Sequence, residues 1–305
     1  MSAWWVKNRQ LILQLAGTLL AVGLLYILLK DDGWSEIVNA IKEIKTKDLF
    51  LVALLFLISR TAVTLRWHVL LRSGGIDMPL KNTAALTFTG LFASNFLPST
   101  IGGDVVRLAG AMQMGFDRAV CLASIAADRL MGMLGMMMTL PVGVIPSWSV
   151  FQSSPESFLT VIWFQRPIAF LKRTFSVFKI WLKKPASLLW SLVFTWIHML
   201  CLFGSIHVFV DDLGSHVSFW LVAGLWSLTY FITLIPISIN GYGLQELSFT
   251  FFMSNVGGLT PAVSLSVAVL IRVFFMLSSL PGAFFLPSSM AAMAKQKQES
   301  SPRDM

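Results

Sequence analysis

From Leu11 to Leu29 the chain runs without a charge. That is the length a helix needs to cross the roughly 30 Å hydrocarbon core of a bilayer. Comparable apolar segments recur at about 49–71, 82–98, 119–146, 187–210, 217–237, 240–256 and 261–287. Lipid offers no hydrogen bonds to backbone N–H and C=O groups, so such segments satisfy themselves as helices. The expected fold class is an all-α polytopic membrane protein with about eight hydrophobic segments. Charged residues make up 12% of the 305 and mean hydropathy is +0.74, against about one quarter charged in a soluble domain. The chain reads as a single membrane domain, 1–305. Its first half is about 5–146, a basic amphipathic linker about 147–186, a second half about 187–287 and a polar tail 288–305. Lys30-Asp31-Asp32 follows the first run where a small-residue cleavage site would stand, so that run reads as an uncleaved helix.

The net charge of +8 comes from basic residues that flank apolar segments. That placement points to anionic lipid headgroups as partners and away from nucleic acid. Walker loop, zinc-ligand spacing and GxSxG are all missing from the sequence, and the four histidines are scattered. Neither a cofactor nor a metal is expected. Cys121 and Cys201 lie inside apolar runs and read as small buried hydrophobes.

Segments 82–98 and 240–256 are short and interrupted by polar residues, and either span or re-enter. Between the first two spans, Ile37, Ile41 and Ile44 share one face of a short interfacial helix. Phe164, Ile168, Leu171, Phe175, Phe178 and Leu182 form one helical stripe, with Lys172, Arg173, Lys179, Lys183 and Lys184 mostly off it. This basic helix is expected on the membrane surface, on the cytoplasmic side by its Lys and Arg content. Lys7, Arg9, Lys295, Lys297 and Arg303 put both termini on that side too, and the connection "DDLGSH" outside. Eight crossings satisfy these placements. Lys30, Lys42, Lys45 and Lys47 then fall outside, against the rule.

Eight ionisable residues stand within or beside apolar runs: Arg60, Arg66, Asp104, Arg107, Asp128, Arg129, Glu246 and Arg272. Each central charge costs about 2.5 to 3.5 kcal/mol even on translocon scales, so these groups are paired or wet. In "NFLPSTIGGDVVRLAG", Asn95 and Pro98 lead to Gly102-Gly103, a pair that permits conformations other residues avoid. A helix is expected to restart near Asp104. That carboxylate either caps the new helix or pairs with Arg107 one turn on. The planar fork of Arg107 suits phosphate. "PISINGYGLQE" repeats the device with Pro236, Gly241, Gly243 and Glu246, and Arg272 on the next span is the candidate partner for Glu246. Two interrupted segments in matching halves point to a transporter's binding site. Asp128 and Arg129 are adjacent, so each needs a partner on another helix. Arg66 with His68 reads as structural, near a membrane face where snorkelling is cheap. Arg60 stays open. The eight groups sum to +2, and if they share one cavity it prefers an anionic headgroup.

Taken in order, these motifs resemble the flippase-like membrane domain family. This is the transmembrane region of lysylphosphatidylglycerol synthases, including the membrane half of the multiple peptide resistance factor. The motifs are Asn95-x-x-Pro98, Gly102-Gly103-Asp104-x-x-Arg107, Asp128-Arg129-Leu130, Pro236 and Gly241-x-Gly243-x-x-Glu246. The resemblance covers about 5 to 287. The family often has Glu at the positions of Asp104 and Asp128, a further Asp at that of Gly132, and Gly at that of Asn240. No aminoacyl-transfer domain follows the last span, so the resemblance implies lipid translocation in the bacterial cytoplasmic membrane and not lysyl transfer.

The leading expectation is a lipid flippase or transporter, not an enzyme. Its substrate site draws on Asn95, Asp104, Arg107, Asp128, Arg129, Glu246 and Arg272. Pro98, Gly102, Gly103, Pro236, Gly241 and Gly243 supply the helix breaks. Two other classes stay open: an intramembrane enzyme using Asp104, Asp128 and Glu246 on a lipid carrier, and a membrane subunit docked through the basic helix.

Overall fold

The computed structural model describes residues 42–97, 101–153, 184–235 and 238–285, with Ser35 and Asn39. The apolar run 11–29, Ile37, Ile41, the basic stripe 164–182, the polar tail, Pro98 and Pro236 lie outside the described residues.

Eight α-helices fill the described segments. They are α1 Thr46–Ser73, α2 Leu80–Ser94, α3 Gly102–Gln113, α4 Arg118–Ser153, α5 Pro185–Asp212, α6 Phe219–Thr233, α7 Leu244–Asn255 and α8 Pro261–Ser279. A 3-10 turn at Ile239–Gly241 precedes α7, and another at Leu280–Phe284 prolongs α8. Local chemistry sets several of these starts. Pro185 and Pro261 occupy first turns, where the missing N–H costs nothing. Ser218 accepts from Leu221 N and Thr260 from Val263 N, capping α6 and α8.

Thr46–Ser73, Arg118–Gln152, Pro185–Asp212 and Pro261–Phe284 are each long and apolar enough to cross a membrane. The 15 residues of α2 and of α6 extend only about 22 Å, and the 12 of α3 and of α7 about 18 Å, short of the hydrocarbon thickness. Each short pair folds as an antiparallel hairpin. In the first, Gly103 lies against Gly90 and Gly110 against Leu86. In the second, Trp226 meets Phe249 with ring centroids 5.6 Å apart, and Gly241 faces Thr233.

The long helices show where each hairpin is rooted. At one end of the bundle Lys184 Nζ donates to Ser73 O and Gly74 lies against Val120, so α1 ends where α4 and α5 begin. The α2–α3 hairpin opens at this end, where Met78, Leu86 and Ala111 share a cluster with Leu71 and Cys121. At the opposite end Lys45 donates to Asp212 through both its backbone N and Nζ, each at 2.7 Å. The α6–α7 hairpin opens there, with Val217, Leu259 and Val210 in one cluster. Segments 82–98 and 240–256 therefore belong to two half-depth hairpins rooted at opposite ends. Lys45, which the count of crossings sets outside against the charge rule, pairs there with Asp212 of the "DDLGSH" connection.

Two expectations change. The fourth segment does not end at 146: α4 continues through Pro141 and Pro146 to Ser153. Between those prolines Gly143 meets Gly224 of α6 backbone to backbone, and just before them Thr139 Oγ1 lies 2.6 Å from Ser227 Oγ. Packing of small residues and hydroxyl contacts between helices hold α4 against α6 across the prolines. Gly102 and Gly103 do not adopt unusual backbone angles; they lie in the first turn of α3 with ordinary negative φ. Their value is the absent Cβ. A methyl at Gly103 would overlap Gly90 O and Ser94 Oγ, and one at Gly102 would strike Leu97.

Candidate functional site

Five of the eight intramembrane charges form one continuous chain. Arg66 of α1 donates from Nε to Asp128 Oδ1 at 2.7 Å. Arg107 of α3 donates from Nη1 and Nη2 to Asp128 Oδ2, both at 3.2 Å. The same Arg107 Nη1 reaches Asp104 Oδ1 at 3.2 Å, and Asp104 Oδ2 accepts from Arg129 Nε. The order is Arg66–Asp128–Arg107–Asp104–Arg129, three cations alternating with two anions across α1, α3 and α4. Adjacent Asp128 and Arg129 do take partners on other helices. Asp104 does not cap: the residue before α3 is Ile101, with no side-chain cap, and the carboxylate serves two arginines.

The chain is graded from buried to open. Side-chain exposure is 4% for Asp128, 8% for Arg66 and Arg107, 12% for Asp104 and 30% for Arg129. Arg66 therefore does not snorkel; an acid on α4 and Thr195 Oγ1 at 3.3 Å hold it inside. Arg107 carries a further contact that the sequence did not announce: its guanidinium carbon stands 4.0 Å from the Trp67 ring centroid. Its Nε is sealed and unpartnered among the described residues. Buried alternation of this kind stabilises little in net terms, but removing a member strands a charge.

The second break is built differently. Asn240, Gly241 and Gly243 take positive φ of 48°, 73° and 75°. Glycine and asparagine tolerate that region. The chain thereby turns sharply enough for α7 to restart at Leu244. Glu246 Oε2 accepts from Gly243 N at 2.8 Å, and Oε1 accepts from Arg272 Nε at 2.7 Å. The expected partnership of Glu246 and Arg272 is present. Arg272 also stacks over Tyr242 at 4.7 Å.

The two hairpin tips touch. Tyr242 donates its hydroxyl to Asn95 O at 3.2 Å, and Asn95 Nδ2 donates to Ser279 Oγ at 2.8 Å. Gly282 lets the turn after α8 press on the α2 backbone at Phe88 and Thr89. Sequence reasoning singled out Asn95, Gly241 and Gly243 but passed over Tyr242, Ser278 and Ser279. The signal available was an aromatic hydroxyl framed by the two turn glycines, and a serine pair just before "LPG".

The nominated residues do not all share one cavity. The charge chain, the Glu246–Arg272 pair and Arg60 are three separate groupings. An apolar groove of about 320 Å³ lies elsewhere, between α1 and α5, lined by Leu57, Thr61, Leu65, Phe194 and Ile197 among others. No group of three or more potential metal ligands occurs among the described residues. Residues 14–282 match the family model for the lysylphosphatidylglycerol synthase TM region. No curated protein matches the chain.

Proposed function

The chain belongs to the lysylphosphatidylglycerol synthase TM region family, and from that premise we propose that it is a lipid flippase that carries an anionic phospho- or glycolipid between leaflets. Family membership and the apolar helices make it a multi-pass integral membrane protein with a lipid-related role. The finer reading rests on one observation above all. Two half-depth hairpins, rooted at opposite ends, meet at the Tyr242–Asn95 contact. Such a meeting point is closed by a few polar bonds, which is what alternating access requires of a gate. On this reading a headgroup first meets Arg129 and Asp104, the most open end of the charge chain. Arg107 and Asp128 then exchange internal pairs for ligand contacts, and Glu246 with Arg272 does the same in the second half. Acyl chains stay in lipid. The activity is movement, with no covalent change to the lipid, and the setting is the bacterial cytoplasmic membrane with both termini inside.

The test is a leaflet-exchange assay in proteoliposomes carrying fluorescent phosphatidylglycerol. Protein-containing vesicles should equilibrate label between leaflets faster than empty ones. Arg107→Ala should slow exchange while the protein keeps its helical circular dichroism. Equal rates in filled and empty vesicles would sink the proposal.

A further inference from the structure

One buried charge in α1 is left unanswered by its neighbours. Arg60 is 5% exposed and stands near the middle of Thr46–Ser73, about 21 Å from the start of the helix. Its Nε donates to Ser278 Oγ at 2.9 Å. Its guanidinium carbon lies 4.9 Å from the Phe275 ring centroid and 5.8 Å from that of Phe56. Among the described residues no carboxylate pairs with it and neither Nη group has a hydrogen-bond partner. Arg66, Arg107, Arg129 and Arg272 all differ: each has a carboxylate within 3.2 Å.

A guanidinium keeps its proton at any physiological pH. Hydrocarbon does not solvate it, and ring faces offset only part of the charge. The Nη groups keep accessible surface, unlike the sealed Nε of Arg107. The position adds meaning. Ser278 precedes Ser279, which holds Asn95, which in turn accepts from Tyr242. The unmatched cation thus stands beside the contact between the two hairpin tips, at mid-depth.

We propose that Arg60 and Ser278 form an anion site at the membrane midplane that takes the phosphodiester of an anionic lipid. The identification of the anion as a lipid rests on the lipid-transport reading; the site itself rests on the unmatched charge. The two free Nη groups offer a planar fork that fits two phosphate oxygens, and Ser278 fixes the fork's orientation. A headgroup held there is halfway between leaflets, next to the bonds that must open for it to pass.

The experiment reads binding, not movement, and so separates this site from the flippase proposal. Purified full-length protein in neutral detergent is mixed with equal amounts of phosphatidylglycerol and phosphatidylcholine, and bound lipid is counted by native mass spectrometry. Wild type should favour phosphatidylglycerol at least tenfold. Arg60→Gln should lower that ratio at least fivefold. Arg60→Lys, which keeps the charge the fold accommodates but lacks the fork, should lose at least fivefold and serves if the glutamine variant fails to fold. A folded variant of either kind with the wild-type ratio overturns the site. Loss of bound phosphatidylglycerol on adding millimolar inorganic phosphate assigns the site to free phosphate and overturns the lipid identification.

Discussion

The hydroxyl of Tyr242 reaches across 147 positions of sequence to the backbone carbonyl of Asn95, 3.2 Å away, and joins the tip of one hairpin to the tip of the other. Each partner belongs to a break in its own half of the chain. A bond between two breaks can be lost without unravelling a helix, which distinguishes it from the packed interfaces around it.

Tyr242→Phe removes that bond and leaves the ring over Arg272. A neutral hydrogen bond contributes about 1 kcal/mol net, so unfolding stability in detergent should fall by about that amount. Amide exchange at 95–97 should quicken far more than exchange within α1 or α5. Uniform quickening across the protein would show that the contact is not a local latch.

Asp128 is the hub of the charge chain, with one oxygen on Arg66 and the other on Arg107. Its replacement by Ala strands the buried Arg66 and leaves Arg107 with Asp104 alone, and should cost about 3 to 5 kcal/mol. Asp104→Ala, at the more open end, should cost less. Pairing Arg66→Met with Asp128→Leu should recover part of the loss. Purely additive losses in that double-mutant cycle would mean the two do not act as a pair.

Gly103 and Gly224 carry no charge, yet both positions are intolerant of a side chain. Gly103→Ala pushes α3 off the Gly90 carbonyl, and Gly224→Ala pushes α6 off the α4 backbone at Gly143. Each should destabilise by about 1 to 3 kcal/mol, seen as a lower thermal midpoint. Gly115→Ala meets nothing within 4 Å, though its φ of +83° adds backbone strain; the loss there comes without helix displacement. Cross-linking between α4 and α6 should weaken only in the Gly224 variant.

These glycines show what the sequence could and could not disclose. Apolar runs reveal helices because lipid leaves the backbone no alternative, and adjacency alone sent Asp128 and Arg129 to different partners. The breaks at 95–103 and 236–243 were visible, but the reason for the glycines was not. Gly241 and Gly243 use their conformational freedom, whereas Gly102 and Gly103 use their missing Cβ. Both uses read alike in one dimension. Depth was equally hidden: the position of Arg66 seven residues before the end of α1 suggested snorkelling, because the acid that holds it inside is 62 positions away. Which charge would lack a partner follows only from three-dimensional pairing, so Arg60 looked no different from its neighbours.

Alkaline stability tests the end of the bundle where Lys45 meets Asp212. Hydrogen bonding to Asp212 and the attraction of its charge raise the Lys45 pKa above the ordinary lysine value. The folded state therefore holds this proton longer than the unfolded one. The contribution is fully present below the ordinary value and disappears as pH rises through the raised one. Lys45 is exposed, so the effect is small and screened by salt. Thermal midpoints followed upward from pH 9 at low ionic strength should decline more steeply in wild type than in Lys45→Met. Parallel slopes would show that the pair does not stabilise the fold.

Gly132 offers a test that adds a group. The family often carries Asp at this position, and here a Cβ would stand 3.5 Å from Arg66 Nη1 and 3.7 Å from Nη2, with no backbone in the way. A carboxylate at 132 would face the guanidinium edge that Asp128 leaves free. The charge chain holds three arginines and two aspartates, so the addition brings it to balance. Gly132 also sits inside α4, where aspartate or asparagine recovers part of glycine's helix penalty of about 1 kcal/mol. Gly132→Asp should therefore raise the thermal midpoint, while Gly132→Asn, with the same shape and no charge, should raise it less. Once aspartate is present, Asp128→Asn should cost less than it does in wild type, because Arg66 keeps a counter-ion. A lower midpoint for Gly132→Asp than for Gly132→Asn would mean that desolvating the new carboxylate outweighs its pairing. Arg66 would then be fully served by Asp128 and Thr195 alone.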